Sequence, residues 1–153
     1  MREKMLAGDI CNRIVVIAER SLSLVQAAQL MRQRHVGCLV VVDETGAGRL
    51  VVGMLTDRDI VTAVVARELD ATQLTVDDVM SHELISVLED DSIKDMLVTM
   101  RRKGIRRLPV VKAHGELVGL VTMDDVLALM SEQLREMAAV IETEALRERR
   151  ERA

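Results

Sequence analysis

The chain has 153 residues, a formal net charge of −4, 49% apolar and 30% charged side chains, and no Phe, Tyr or Trp. This is the balance of a folded globular chain, long enough for one domain or two small units that share a core. Without net positive charge or an aromatic face it lacks the usual means of neutralising phosphates and stacking bases, which excludes a general nucleic-acid binder.

In chain order, the pattern predicts a short apolar strand over Ile14–Ala18 and then a helix from Ser23 to Arg34, with Ser23 as its N-cap. Strands over Cys38–Val42 and Leu50–Leu55 flank a turn-rich hairpin loop, Asp43–Arg49. A second helix starts after Thr56, and the polar stretch Arg67–Asp77 reads as a linker. The same order then returns: a strand over Leu84–Leu88, a helix from Ser92 to Lys103, strands over Arg107–Val111 and Glu116–Val121 around the loop Lys112–Gly115, and a helix after Thr122. A C-terminal amphipathic helix closes the chain over 133–153. Its apolar stripe begins earlier, with Leu127, Met130, Leu134, Met137 and Ile141 at steps of three and four. That stripe suits either packing on its own domain or contact with a second subunit.

The repetition is a true internal duplication. Asp9-Ile10-Cys11-Asn12 returns as Asp78-Val79-Met80-Ser81, Ser23-Leu24 as Ser92-Ile93, Met31-Arg32 as Met100-Arg101, and Leu39 to Val42 as Leu108 to Val111, each 69 residues on. Beyond the hairpin loop the spacing falls to 66, matching Gly53, Thr56 and Asp59 with Gly119, Thr122 and Asp125. The shorter loop in the second copy accounts for the change. Each copy has two helices for Val-rich strands, an α+β layer, and neither alone has much core. Two copies packed sheet to sheet bury a continuous one.

The run Gly104-Ile105-Arg106-Arg107-Leu108-Pro109-Val110-Val111, followed by Gly119-Leu120-Val121-Thr122-Met123-Asp124-Asp125, resembles the CBS domain. The first copy has Gly53-Met54-Leu55-Thr56-Asp57-Arg58-Asp59 in the same role. Asp78-Val79-Met80-Ser81 is similar to the family's usual lead into a repeat. The resemblance covers roughly residues 7 to 132. It implies tandem CBS domains in a stand-alone, bacterial-type pair, two β-α-β-β-α repeats related by a pseudo-two-fold axis, with a C-terminal helix added. The expected divisions are repeat 1 over 7–66, a linker over 67–77, repeat 2 over 78–132 and the tail over 133–153.

The resemblance also implies adenosine-containing ligands in clefts between the repeats. Asp59 and Asp125 would hold ribose hydroxyls, since an ionised carboxylate accepts both bonds of a cis-diol. Thr56 and Thr122, at helix starts with free backbone N–H groups, would contact phosphate. Ser86 and its counterpart Ile17 would lie along the adenine. Val36, Cys38 and Val40, with their partners Ile105, Arg107 and Pro109, would complete the two pockets. Thr-x-x-Asp is also nearly a capping box, which starts a helix with no ligand present. The second copy keeps Ser86, Pro109, Thr122 and Asp125, so its site ranks first, whereas Ile17 and Val40 depart from the family's pattern. Among the basic residues Arg101, Arg102, Lys103, Arg106 and Arg107, the last two lie inside the motif. They favour AMP, ADP or ATP over cationic S-adenosylmethionine; NAD is a less expected adenosine-containing ligand.

Enzyme chemistry finds no support. No Ser-His-Asp or Cys-His order pairs a nucleophile with a base, and Gly46-Ala47-Gly48 lacks the spacing and lysine of a phosphate loop. Cys11 and Cys38 form no CxxC pair, and His35, His82 and His114 are scattered, so neither a disulfide nor a metal site is expected. The apolar stretch around Leu39–Val42 is too short to cross a bilayer and the N-terminus shows no signal-peptide region, making the cytoplasm the expected compartment. Two functions remain: a non-catalytic, homodimeric sensor that binds an adenine nucleotide and signals to a partner protein, with no cofactor required, or a ligand-free interaction subunit.

Overall fold

The computed structural model describes residues 5–153. They form α1 (Ala7–Ile10), β1 (Ile17–Ala18), α2 (Leu24–Arg34), β2 (Cys38–Thr45), β3 (Gly48–Thr56), α3 (Asp57–Ile60), α4 (Val76–Val79), β4 (Val87–Leu88), α5 (Ile93–Lys103), β5 (Arg107–Val111), β6 (Leu117–Thr122) and α6 (Met123–Glu151). A π-helical turn, Val61–Val65, extends α3, and a 3-10 turn covers Ala71–Gln73. The chain divides into two compact units, Met1–Val121 and Thr122–Ala153.

The first unit holds two three-stranded sheets, ordered β1-β2-β3 and β4-β5-β6. In each, a parallel pair is joined through a helix: Ile17 pairs with Val40, and Val87 with Val110. The sequence-predicted helices are present and capped as expected. Ser23 Oγ accepts from Gln26 N at 3.1 Å, and Ser92 Oγ from Asp95 N at 3.2 Å. Each side chain thereby satisfies a backbone donor that the first helical turn leaves open. The hairpin loop is far tighter than Asp43–Arg49, because β2 and β3 continue to Thr45 and Gly48. Thr45 Oγ1 closes the turn, accepting from Ala47 N and donating to the Gly48 carbonyl. The shift in register between Val41/Gly53 and Val42/Val51 leaves Val52 as an extra residue, a β-bulge.

Both long helices of this unit end on a left-handed residue, His35 at φ 54° and Gly104 at φ 66°. These positions correspond in the two repeats, but only Gly104 lacks the Cβ that makes this conformation costly. His35→Gly is therefore expected to stabilise the protein by about 0.5 kcal/mol, part of the ~1 kcal/mol left-handed penalty being returned as unfolded-chain entropy. A urea midpoint at or below that of the parent protein would contradict this.

The repeats dock crosswise. Ala7 N donates to Asp91 O and Gly8 N to Glu89 O, both at 2.8 Å, so α1 sits on the second repeat. Asn12 and Leu120 exchange two backbone hydrogen bonds of 2.9 Å. The mirror set is Val76 N to Leu22 O at 2.9 Å, Asp77 N to Arg20 O at 3.0 Å and Ser81 N to Met54 O at 2.9 Å, so α4 sits on the first repeat. The latter part of the predicted linker is thus the second repeat's lead-in. Arg20 fastens it by donating to Asp43 at 2.9 Å and Asp77 at 3.3 Å.

The first core layer joins Leu24, Ala27 and Met31 of α2 to Leu39, Val41 and Leu55 of the sheet and to Val64, Val76 and Met80. The sheet-to-sheet seam is Val40, Val42, Val51 and Val111, with Val15, Ile17, Leu117 and Leu120 packed against it. The alternation of Val40 and Val42 with Leu39 and Val41 across the pleat separates these two sets.

In the second unit, α6 is one continuous helix of 29 residues capped by Thr122. The segment expected as a separate tail over 133–153 is its continuation. No helix among the described residues is long and apolar enough to cross a membrane.

Candidate functional site

The crosswise docking makes a cleft. β3 carries a glycine where the second lead-in approaches: a Cβ on Gly53 would collide with the Ser81 carbonyl oxygen. At the equivalent place, a Cβ on Gly119 would lie 2.6 Å from Cys11 Sγ and 2.7 Å from the Asn12 carbonyl oxygen. With Ser81 hydrogen-bonded to Met54, the end of β3 and the start of α3 face residues of the second repeat across a space of about 550 Å³. That volume lies within the range of small-molecule sites.

One wall is Met54, Thr56, Asp57, Arg58 and Asp59, and the facing wall comes from two segments of the second repeat. Glu83, Leu84 and Ile85 precede β4, and Ile105, Arg106, Arg107 and Pro109 run from the end of α5 into β5. Leu84, Ile85, Ile105, Met54 and Pro109 offer an apolar surface suited to a flat heterocycle. Thr56 and Asp59 form a capping box: Thr56 N donates to Asp59 Oδ2 at 2.8 Å, and Asp59 N to Thr56 Oγ1 at 3.1 Å. The box fixes the carboxylate while engaging Oδ2, so capping and ligand recognition are compatible uses of one side chain. Thr122 and Asp125 repeat the arrangement at the start of α6, with both distances 3.1 Å.

Charge is segregated within the cleft. Asp57 and Asp59 occupy the first turn of α3, where the helix dipole favours carboxylates and they oppose an incoming anion. Positive charge in the cleft comes from the guanidiniums of Arg58, Arg106 and Arg107 rather than from the helix start. Glu83 is engaged by Lys103 at 2.7 Å. Asp57 folds over Gly37, whose carbonyl accepts from Asp57 N at 2.9 Å. Burial pushes the Cys38 thiol above its ordinary range; Arg107 pulls it partly back and Asp57 adds to the rise. Cys38 thus lies within electrostatic reach of both charged walls, although buried at the start of β2.

The sequence reading groups the candidates by repeat, and the structure groups them across repeats. Ile105, Arg106, Arg107 and Pro109 share a cleft with Thr56 and Asp59. Ser86 is half-buried beside Ile85, a cleft residue. Ile17 packs against the sheet seam, Val36 against the first core layer, and Val40 is fully buried within the seam. Sequence reasoning passed over Asp57, Arg58, Glu83 and Leu84. Arg58 stands between Thr56 and Asp59, the two partners of the capping box that the sequence does show.

Among the described residues no group of three His, Cys, Asp or Glu side chains could hold a metal ion.

The family model described as the CBS domain matches residues 7–66 and 76–132. An uncharacterised protein of Methanopyrus kandleri is 35% identical over 120 residues, which is 78% of this chain and 60% of that protein, so the chain spans less than two thirds of this relative. Hypoxic response protein 1 of Mycobacterium tuberculosis is 37% identical over 120 residues, 78% of this chain and 81% of that protein. The crystal structure of Hypoxic Response Protein I, with two coordinated zinc ions, aligns with a TM-score of 0.70 at 34% identity, covering 81% of this chain and 98% of that one. The CBS domain pair of protein MJ0100, in complex with 5′-methylthioadenosine and S-adenosyl-L-methionine, aligns with a TM-score of 0.73 at 27% identity, covering 85% and 98%. Two matched repeats, two equivalent three-stranded sheets and these relatives agree: the chain belongs to the CBS-domain family, as a tandem pair.

Proposed function

We propose that this CBS pair is a non-catalytic regulatory sensor, acting in the cytoplasm as a homodimer, whose cleft takes an adenine nucleotide: AMP, ADP or ATP. The observation that carries the reading is the cleft's composition. An apolar wall, a fixed carboxylate at Asp59 and three guanidiniums stand together in a space of nucleotide size. Adenine suits the wall, a ribose diol suits Asp59, and phosphate suits Arg106 and Arg107 with Arg58 beside them. Thr122 and Asp125 are assigned the same roles at the second helix start. The MJ0100 pair gives support of a coarser kind, since both ligands named for it contain adenosine. The guanidiniums here disfavour the cationic sulfonium of S-adenosylmethionine and favour an anion.

Signalling follows if the nucleotide binds one arrangement of the crosswise-docked repeats better than another, because a ligand shifts an equilibrium only by its differential affinity. A partner protein would read that change. Calorimetric titration with AMP, ADP, ATP, NAD and S-adenosylmethionine tests the reading. Saturable binding of the adenine nucleotides, tighter than of S-adenosylmethionine, is expected. No heat at millimolar nucleotide would end it and leave a ligand-free interaction subunit.

A further inference from the structure

Three carboxylates line the cleft, and they differ in what they hold. Glu83 is neutralised by Lys103 Nζ at 2.7 Å. Asp59 is engaged in the capping box, where Oδ2 accepts from Thr56 N at 2.8 Å. Asp57 accepts only from backbone: its Oδ1 takes Arg58 N at 2.8 Å, and it forms no ion pair among the described residues. It is exposed on the first turn of α3, at the cleft wall. The helix does not require a carboxylate there. The equivalent residue of the second repeat, 66 positions on, is Met123, and α6 starts from the same capping box without one.

Asp57 also stands close to a guanidinium assigned to phosphate. Its Oδ2 lies 3.0 Å from the place of a Cβ on Gly37, the residue that leads into Cys38. Beyond the rise caused by burial, Arg107 lowers the pKa of the Cys38 thiol and Asp57 raises it further, so both charges bear on this one group. A carboxylate without a counterion beside a phosphate site opposes a ligand more with every negative charge the ligand brings. At most three guanidiniums, Arg58, Arg106 and Arg107, stand in the cleft against Asp57 and Asp59. AMP brings about two negative charges near neutral pH, and ADP and ATP about one and two more. The cleft nearly balances AMP, whereas ATP leaves it with excess negative charge.

We propose that Asp57 is the residue by which the cleft selects the monophosphate, AMP, against ADP and ATP, by repelling the added phosphates. This rests on the nucleotide reading above and specifies the ligand within it.

Calorimetry of the full chain with adenosine, AMP, ADP and ATP in EDTA, beside the same titrations of Asp57→Asn, tests it. Asn keeps an oxygen to accept from Arg58 N, so the helix start is preserved. The parent protein is expected to bind AMP at least about tenfold more tightly than ATP, with ADP between them, and Asp57→Asn to reduce that preference about tenfold while adenosine is unaffected. The parent alone gives a second measure: added salt should narrow the preference, because it screens a repulsion, whereas steric exclusion of the longer ligand would not respond. Failure of every adenine nucleotide to bind would end the nucleotide reading and this one with it. ATP as tight as AMP in the parent, a preference that Asp57→Asn leaves whole, or one indifferent to salt would end this one alone. So would ATP overtaking AMP on addition of Mg²⁺ in the parent but not in Asp57→Asn, which would make the carboxylate a metal ligand instead.

Discussion

Gly53→Ala is expected to destabilise the protein by about 3 kcal/mol, at the upper end of the usual cost of overpacking. The added Cβ meets the Ser81 carbonyl oxygen, which is backbone and cannot rotate away. Ser81 cannot withdraw either without breaking its 2.9 Å hydrogen bond to Met54 O, one of the few bonds that seat the second lead-in on the first repeat. Gly119→Ala should cost a similar amount, because Asn12 and Cys11 occupy the equivalent place. Gly46→Ala is the control: nothing lies within 4 Å of its Cβ position, and its effect should stay within about 0.5 kcal/mol. Urea unfolding of the three variants decides the matter. If Gly53→Ala and Gly46→Ala melt together, the close approach that builds the cleft does not exist in solution. The variant should also lose nucleotide, since Gly53 lines the cleft.

Local chemistry shows in the sequence, and long-range pairing does not. Local chemistry was legible: Ser23 and Ser92 announce helix starts, Thr56 and Thr122 announce capping boxes, and the twofold return of these pieces gives the paired architecture. The crossing was not legible. Asp9 to Asn12 and Asp78 to Ser81 have equivalent patterns, so nothing in either states whether it docks on its own repeat or on the other. That ambiguity is why the sequence sets Thr56 and Asp59 beside Val36 and Cys38 of the same copy, whereas the cleft joins them to Ile105 and Arg107. The same cause shortened the first strands. Ile14–Ala18 reads as one apolar run, but its beginning follows Asn12, which pairs with Leu120, and only Ile17–Ala18 pairs with β2. Ile14 is left 89% exposed at the change of partner. The tight hairpin turn was hidden because Asp43, Glu44 and Arg49 are polar; they are the outer ends of strands, with Arg49 donating to Glu44 at 2.7 Å.

If the cleft binds nucleotide as proposed, its two polar ends should fail separately. Arg107→Gln is expected to weaken AMP, ADP and ATP by roughly 10- to 100-fold, as for loss of one charge-assisted hydrogen bond, while adenosine binding changes little. The dependence of AMP affinity on salt should flatten in the same variant, because a screened attraction has been removed. Asp59→Asn keeps an oxygen to accept from Thr56 N and so preserves the helix cap. It loses the charged acceptor for the ribose diol, and adenosine and AMP should weaken together. 2′-Deoxyadenosine monophosphate should already be weak with the parent protein and should lose less in Asp59→Asn. Calorimetry with adenosine, AMP and the deoxynucleotide across the three proteins gives a pattern in which each ligand change and each substitution answers to one group. Equal losses for adenosine and AMP in Arg107→Gln would show that the guanidinium shapes the cleft rather than contacting phosphate. An unaltered deoxynucleotide preference in Asp59→Asn would remove the carboxylate from ribose recognition, whatever the cleft then holds.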